Sequence, residues 1–171
     1  MYWSSLTFLI ATVVVASALS LHDLMQALHT FEKIWIRYRS FEKRTLGHKH
    51  KCVYSKVHKY NPRHYFLIQH YEVNGVWRTT QSYATLLQGK GGDPLMRLSY
   101  RPEKHGIDHR LVFWHPVEHC FVFTRDVDGT NQCEMWVWSD HVRKHVPQCQ
   151  MAYKRHCHAQ YPVYTHACGK P

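Results

Sequence analysis

Acidic residues are scarce in this sequence. Its 171 residues include 12 Asp and Glu but 22 Lys and Arg, which gives a formal net charge of +10 at pH 7. So basic a surface attracts anions such as acidic lipids, glycosaminoglycans and acidic proteins. Because carboxylates are few, an enzyme that works with paired acids is a poor match for this composition.

The common catalytic and metal-binding motifs are also missing. The sequence has no Gly-x-Ser-x-Gly elbow for a hydrolase nucleophile and no Cys-x-x-Cys pair for a zinc ribbon. It has no Asn-x-Ser/Thr acceptor for N-glycosylation. We therefore expect a protein without enzymatic activity, bound metal or cofactor.

Long apolar runs are confined to the N-terminus. The run from Leu6 to Ala18 is too short to span a bilayer, and it ends in the small-x-small sequence Ala18-Leu19-Ser20. We interpret residues 1–20 as a secretory signal peptide, with Ala16-Ser17-Ala18 as an alternative cleavage site. Residues 21–171 are then expected to form one domain of a secreted, extracellular protein without membrane attachment.

The clearest predicted element is a β-hairpin. Two stretches of alternating apolar character flank Asp128-Gly129, a typical two-residue hairpin turn. With these residues in the turn, Phe121 faces Trp136 and Phe123 faces Glu134 on one side of the sheet. An acid among aromatic side chains is costly unless it has a partner. We interpret Glu134 as a ligand-facing carboxylate inside a barrel; a half-exposed Glu at a strand end is the alternative.

About seven further segments complete an all-β pattern. Asn74-Gly75 marks a second hairpin turn, and the basic stretch 43–51 is expected to be a loop. The predicted strands outside the Asp128-Gly129 hairpin are 33–41, 52–60, 64–73, 76–87, 94–101 and 109–117, followed late in the chain by an extended piece over 161–167. About eight antiparallel strands predict a sandwich or a barrel.

Two helices are predicted outside the strands. The first is short, with Asp23 as its cap and with Leu24, Leu28 and Phe31 at helical spacing. The second runs from Cys149 onwards with Pro147 near its start.

The six cysteines indicate how the second helix packs. In a secreted chain they predict three disulfides. Cys120 lies four residues, about 13 Å, from the residue facing Cys133 on the outer face of the hairpin. Cys149 and Cys157 lie about 12 Å apart on the helix. The match places this helix along the outside of the sheet, and it leaves Cys52 to pair with Cys168. The spacing leaves open which hairpin cysteine joins which helix cysteine.

Several motifs of this sequence resemble the motifs of one known protein family. Cys133-Glu134-Met135-Trp136-Val137 is similar to the Cys/Tyr-Glu-Leu-Trp motif of the tick salivary lipocalins of the histamine-binding family. Val146-Pro147-Gln148-Cys149, the helix to Cys157 and a tail ending in Cys168 follow in the family's order, and Leu46-Gly47 shortly before Cys52 also fits. The resemblance covers most of residues 21–171.

The resemblance implies both a fold and a disulfide pattern. The fold is an eight-stranded antiparallel lipocalin barrel, with a short N-terminal helix and a C-terminal helix packed outside. The implied disulfides are Cys52–Cys168, Cys120–Cys149 and Cys133–Cys157.

The function implied by the resemblance is sequestration of a small host mediator in the barrel, which serves evasion of host defence. In the amine-binding members, carboxylates and aromatic residues hold histamine or serotonin. Glu134 matches one of these acids, Trp136 the aromatic residue beside it, and Tyr100 an aromatic residue of the wall. We expect a monomer.

Other positions depart from the amine-binding pattern. Lys43 stands where an acid is expected, close to Phe41 in place of a Tyr. Leu46 stands near an expected Trp, and Phe31 and Phe121 stand where a second amine site would have acids.

Two ligand classes therefore remain open for the barrel. A cationic amine needs negative charge or a cation–π cage, whereas an anionic lipid such as a leukotriene or fatty acid needs an apolar slot and a basic anchor. Candidate anchors are Arg37, Arg39, Arg78, Arg97, Arg101, Arg110 and His109. The candidate ligand-binding residues are Glu134, Trp136, Tyr100, Phe41, Phe121, Phe123, Arg101 and His109.

A third function class is a basic surface that binds a host polyanion such as heparin, or a host protein. Nucleic acid is not an expected partner. The basic residues that crowd the first third of the chain are Lys43, Arg44, His48, His50, Lys51, Lys56, Lys59 and Arg63. The pairs His48/His50 and His156/His158 are interpreted as surface residues and not as metal ligands.

For an amine ligand, Glu134→Gln is expected to abolish binding of histamine, because the ammonium needs the carboxylate. Binding of an anionic lipid should stay nearly intact. Calorimetric titration of the oxidised protein with both ligands measures the difference, and unchanged histamine affinity in the variant would remove Glu134 from the site.

Overall fold

The computed structural model describes residues 18–102 and 105–169. The predicted signal peptide lies almost entirely outside these residues and stays a prediction. Within the described ranges, neither helix has the length and the apolar character that crossing a membrane requires.

Eleven strands and two α-helices follow one another along the described residues. The strands are β1 (Ile34–Arg39), β2 (Arg44–Thr45), β3 (His48–Lys49), β4 (Lys51–Asn61), β5 (His64–Val73), β6 (Val76–Gln88), β7 (Pro94–Ser99), β8 (Ile107–His115), β9 (Cys120–Val127), β10 (Thr130–Trp138) and β11 (Tyr161–Pro162). Helix α1 (Leu21–Leu28) precedes the strands, and helix α2 (Pro147–His156) lies between β10 and β11.

Eight of the strands form a closed antiparallel barrel. β1 and β4 to β10 pair side by side, and β1 also pairs with β10. Arg39 lies opposite Glu134 in this closing pair. Closure leaves no free strand edge in the barrel wall. The predicted all-β barrel with two flanking helices is confirmed.

The hairpin of β9 and β10 has the predicted register. Trp136 lies opposite Phe121, and Glu134 lies opposite Phe123. Asp128 and Gly129 both have positive φ, 51° and 74°, as a type I′ turn requires at its two central residues. All four paired side chains therefore point into the barrel.

Helix α1 begins at a capping box. The Ser20 hydroxyl accepts from the backbone N–H of Asp23, and the Asp23 carboxylate accepts from the backbone N–H of Ser20 at 2.8 Å. Ser20 is thus the N-cap, and the prediction of Asp23 at that position was wrong by three residues.

The apolar face of α1 packs against the interior of the barrel at one end. Leu24, Ala27 and Leu28 are fully buried in the same cluster as Met96 and Leu111 of the barrel. The helix ends at Leu28, because the chain has to extend to reach β1. Phe31, predicted on the apolar stripe, is therefore fully exposed.

Helix α2 packs along the outside of β9 and β10, as predicted. Disulfides join Cys120 to Cys149 and Cys133 to Cys157, each with Cα atoms 6.2 Å apart. A third disulfide joins Cys52 to Cys168, with Cα atoms 5.2 Å apart. These are the same pairs that the family resemblance implies. The outward face of the hairpin is therefore as buried as its inward face.

Two predicted segments need correction. The expected loop 43–51 contains the small hairpin of β2 and β3, because Leu46 and Gly47 both adopt positive φ, 49° and 81°, and so form a tight turn. The expected extended piece 161–167 is a strand only over Tyr161–Pro162 and then turns into a short 3-10 helix, His166–Cys168. That turn brings Cys168 to Cys52.

Shortening the apolar face of α1 should destabilise the barrel. Leu24→Ala removes a fully buried side chain, and we expect it to lower the free energy of unfolding by about 2–5 kcal/mol. Phe31→Ala is the matched control, because its side chain is exposed, and its effect should stay within about 0.5 kcal/mol. Urea unfolding of the oxidised protein measures both; equal effects would show that α1 does not contribute to the core.

Candidate ligand-binding site

A buried ion pair lies inside the barrel at the closing strand pair. Nε of Arg39 donates to Oε1 of Glu134 at 2.8 Å, and the two side chains are 3% and 7% exposed. The indole N–H of Trp136 donates to Oε2 of Glu134, also at 2.8 Å. Both carboxylate oxygens therefore already have a donor from the chain itself.

Positive charge exceeds negative charge around this pair. Lys43, at the exposed rim, and Arg125 line the same cavity as Arg39 and Glu134. Burial raises the pKa of Glu134, but the charges of Arg39, of His109 once it is protonated at low pH, and of Arg125 lower it more, so that the pKa falls to about 2. Among the described residues that line this cavity, three cations thus face one carboxylate at neutral pH.

His109 adds no charge to this balance. The side chain is buried, and burial lowers its pKa, with Arg125 acting in the same direction and Glu134 opposing. Its Nδ1 lies 3.1 Å from the carbonyl oxygen of Ile107. The imidazole is therefore neutral at pH 7.

The guanidinium groups of Arg39 and Arg125 differ in whether their N–H groups have hydrogen-bond acceptors. Nε and Nη2 of Arg125 donate to Oε1 of Gln132 at 3.0 and 2.8 Å. The ring of Phe41 contacts both groups, with Cζ of Arg125 4.4 Å and Cζ of Arg39 5.4 Å from its centroid. Nη1 of Arg39 is buried and has no acceptor among the described residues. A buried donor without an acceptor costs about 1–3 kcal/mol, so this N–H is available to an anionic ligand.

The cavity around the ion pair is small and largely polar. Its volume is about 120 Å³, and its wall includes Gln69, Thr80, Ser82 and Ser99. Deeper in the barrel, large apolar side chains fill the space: Phe121, Phe123, Trp136 and Met96 are all fully buried.

A second, larger cavity of about 360 Å³ adjoins the first. Arg39 and Lys43 line both of them. Its apolar wall comes from Phe41 and from the C-terminal segment, with Pro162, Val163 and Ala167. Of these two adjoining cavities, only the second reaches the 300–1,000 Å³ that is typical of small-molecule sites.

A third hollow, of about 670 Å³, lies on the outer surface of the sheet. Tyr60, Phe66 and Tyr83 line it, together with Arg97, which pairs with Asp108 at 2.6 Å. It shares no charged residue with the cavity around Glu134. The interior site is therefore the better candidate for a charged ligand.

Comparisons with known proteins agree with this architecture. Residues 16–170 match the family model described as tick histamine binding protein. The chain belongs to the tick histamine-binding protein family. A search of curated protein sequences finds no significant match.

Solved structures with the same fold share little sequence with this family member. A crystal structure described as an AM182 serotonin complex has a TM-score of 0.62 at 14% identity, over 86% of this chain and 92% of the other. Japanin from Rhipicephalus appendiculatus, bound to cholesterol, has a TM-score of 0.56 at 14% identity, over 81% and 96%. The siderocalin Ex-FABP has a TM-score of 0.53 at 12% identity, over 82% and 97%. At such identities the likeness shows a lipocalin fold and nothing finer.

The eight residues proposed from the sequence fall into four groups in this histamine-binding family member. The first group lines the interior cavity and consists of Glu134, Trp136, His109 and Tyr100. Tyr100 lies at the rim, where 79% of its surface is exposed. Phe121 and Phe123 instead pack against Trp136 in the filled part of the barrel. Phe41 lines the adjoining cavity, and Arg101 is exposed and lines none of these cavities.

Of the seven basic anchors proposed from the sequence, only Arg39 and His109 face the interior. The others lie outside the barrel: Arg37 donates to the carbonyl oxygen of Lys144, Arg97 pairs with Asp108, Arg110 pairs with Asp93, and Arg78 and Arg101 are exposed. Sequence reasoning missed Arg125, although it follows Phe121 and Phe123 at a spacing of two. It also treated Lys43 only as a lost acid and a surface charge.

The basic surface proposed for polyanions is less basic than its composition suggests. His50 is buried and stacks on Tyr71 with ring centroids 4.4 Å apart. Burial, followed by the charges of Lys43 and Arg39, lowers the pKa of His50 to about 4. Arg44 and Lys49 both pair with Glu42.

The ion pair generates a prediction for the dependence of stability on pH. Because Glu134→Gln leaves Arg39 buried without its carboxylate, it should lower the free energy of unfolding at pH 7 by about 3–5 kcal/mol. The folded-state pKa of Glu134, about 2, lies below its ordinary value of 4.5, so its stabilisation is present above pH 4.5 and is lost as the pH falls towards 2. The difference between wild type and variant should shrink across that window.

Urea unfolding at a series of pH values measures this difference. Glu72→Gln is the control, because Glu72 forms no ion pair among the described residues and its loss should change stability little. A Glu134→Gln difference that stays constant from pH 7 to pH 2 would contradict the ion-pair interpretation.

Proposed function

We propose that this chain sequesters a small amphipathic ligand with an anionic head group, of the fatty-acid or leukotriene class. The observation that carries the proposal is the surplus of positive charge at the interior site. In the part of the chain that the structure describes, Arg39, Lys43 and Arg125 face a single carboxylate, Glu134. An anion bound there gains charge-assisted hydrogen bonds from groups that the protein leaves incompletely paired.

A cationic amine fits this site less well. Both oxygens of Glu134 are engaged, by Arg39 and by Trp136. An ammonium group would have to displace the guanidinium from a buried carboxylate and would then lie beside three cations. The energetic cost of leaving Arg39 unpaired is about 3–5 kcal/mol, which an amine would have to offset.

The two adjoining cavities suit the two ends of such a ligand. The polar cavity of about 120 Å³ accommodates a head group only. The cavity of about 360 Å³, with Phe41 and Val163 in its wall, can accommodate an apolar tail. Arg39 and Lys43 lie at the junction of the two, where the carboxylate of the ligand would bind.

The relatives support a binding function without fixing the ligand. The AM182 structure contains serotonin and the Japanin structure contains cholesterol, so proteins of this fold bind both a cationic amine and a neutral lipid. The side chains within each cavity therefore decide the ligand. We infer from family membership that this chain is a secreted, non-enzymatic protein that binds a mediator of host defence.

Removal of one cation at the rim should weaken binding of the anionic ligand selectively. We expect Lys43→Gln to lower the affinity for a long-chain fatty acid or a leukotriene about 10- to 100-fold, since one charged hydrogen bond contributes about 1.5–3 kcal/mol. Lys43 is exposed, so the substitution should leave the fold intact. Calorimetric titration with each lipid, and separately with histamine and serotonin, measures the effect.

Lys56→Gln is the matched control. It removes the same charge from an exposed position on β4 that lines neither cavity, and it should leave the affinity unchanged. Tight binding of histamine or serotonin with no signal from either lipid would overturn the proposal and favour the amine. Equal losses in both variants would indicate general attraction to the basic surface instead.

A further inference from the structure

Two histidines and one aspartate meet outside the barrel, at the end where α1 packs. His119 immediately precedes β9, and Asp140 and His141 follow β10. Nδ1 of His119 lies 2.7 Å from Oδ2 of Asp140, and Nδ1 of His141 lies 3.0 Å from Oδ1 of the same carboxylate. One candidate ligand atom from each residue lies within 4.8 Å of the others.

The backbone around this cluster is fixed by several hydrogen bonds. The N–H of Trp138 donates to the carbonyl oxygen of His119 at 2.9 Å, and the N–H of Asp140 donates to Oε2 of Glu32 at 2.8 Å. The ring of His119 also packs against Trp138 with centroids 4.4 Å apart. The three side chains are therefore held close together by the fold, as a preorganised site requires.

His141 provides a separate indication of a missing partner. Its Nδ1 is buried, yet no contact around it within the described ranges has the geometry of a hydrogen bond, although Asp140 lies 3.0 Å away. A buried nitrogen in this state is costly. A metal ion close to the carboxylate would satisfy it, because a neutral imidazole presents a lone pair at one ring nitrogen.

We propose that His119, Asp140 and His141 bind a divalent ion of the zinc type. Two imidazole nitrogens and one carboxylate oxygen are a common ligand set for zinc, with bonds of about 2.0–2.2 Å. Imidazole ligands disfavour calcium and magnesium, which take oxygen ligands. Three protein ligands leave a fourth tetrahedral position open to water or to a small anion.

Sequence reasoning had no means to identify this site. His119 and Asp140 are 21 residues apart, and they meet only because β9 and β10 are antiparallel neighbours whose outer ends coincide. The histidine pairs considered from the sequence, His48/His50 and His156/His158, belong to neither of the ligand-type clusters found among the described residues. The second such cluster combines Glu118 with Cys120 and Cys149, which are joined in a disulfide.

The test is a zinc titration of the oxidised, metal-free protein in competition with a chromophoric chelator. We expect one equivalent of zinc to bind to the wild type. His119→Gln and His141→Gln should each weaken binding about 100-fold or more, since loss of even an outer partner of a metal ligand costs 10–100-fold. Cobalt(II) in place of zinc should give the intense visible absorption of a tetrahedral site, and the variants should lose it.

The controls separate this site from the other histidines, of which the sequence has sixteen in all. The double variant His156→Gln/His158→Gln removes two exposed imidazoles at the end of α2 and should leave zinc affinity unchanged. Thermal unfolding of each variant without metal shows whether the fold is retained. Absence of zinc binding by the wild type, or equal affinity of the wild type and both single variants, would overturn the proposal.

Discussion

The contact between Arg39 and Glu134 joins the closure of the barrel to the chemistry of its interior. The two residues lie opposite each other in the strand pair β1–β10, which converts the sheet into a barrel. A buried ion pair regains the cost of removing both charges from water only with good geometry and further hydrogen bonds. The second bond to Glu134, from the indole of Trp136, is of this kind. The barrel therefore closes around a carboxylate that is already paired.

This arrangement gives the interior a preference for one sign of charge. An amine needs a carboxylate that is free to bind it, whereas here Arg39 already occupies Glu134, the one carboxylate among the described residues of this cavity. The groups that can still bind a ligand are then Lys43, Arg125 and Nη1 of Arg39. A ligand that breaks the ion pair between Arg39 and Glu134 removes a contact that stabilises the closed barrel. A ligand that binds beside the pair leaves this contact in place. The selectivity for an anion that we propose would thus follow from the way the fold is held together.

The part of this arrangement that the sequence could predict is the part with regular alternation. β9 and β10 pair without interruption, so Phe121, Phe123, Glu134 and Trp136 were assigned correctly to the inward face. Extending the alternation from Phe123 by two residues also places Arg125 inside. Arg39 is different, because a bulge between Ile36 and Tyr38 shifts the register of β1 and reverses the side to which later residues point. No residue type in this segment signals the bulge, so counting along the strand assigns Arg39 to the outside.

The barrel divides along its axis into an end filled by apolar side chains and an end that contains the candidate binding site. Near α1, aromatic and aliphatic side chains fill the interior, and their burial supplies the favourable free energy of folding at about 25 cal/mol per Å² of apolar surface. The opposite end contains the polar cavity and the buried charges, which contribute less to stability. Because one end, three disulfides and the Arg39–Glu134 pair hold the fold, the other residues at the open end can change with little risk to folding. Proteins that share this fold at 12–14% identity can therefore differ in ligand, since charge and size at the open end are the properties that the fold leaves free.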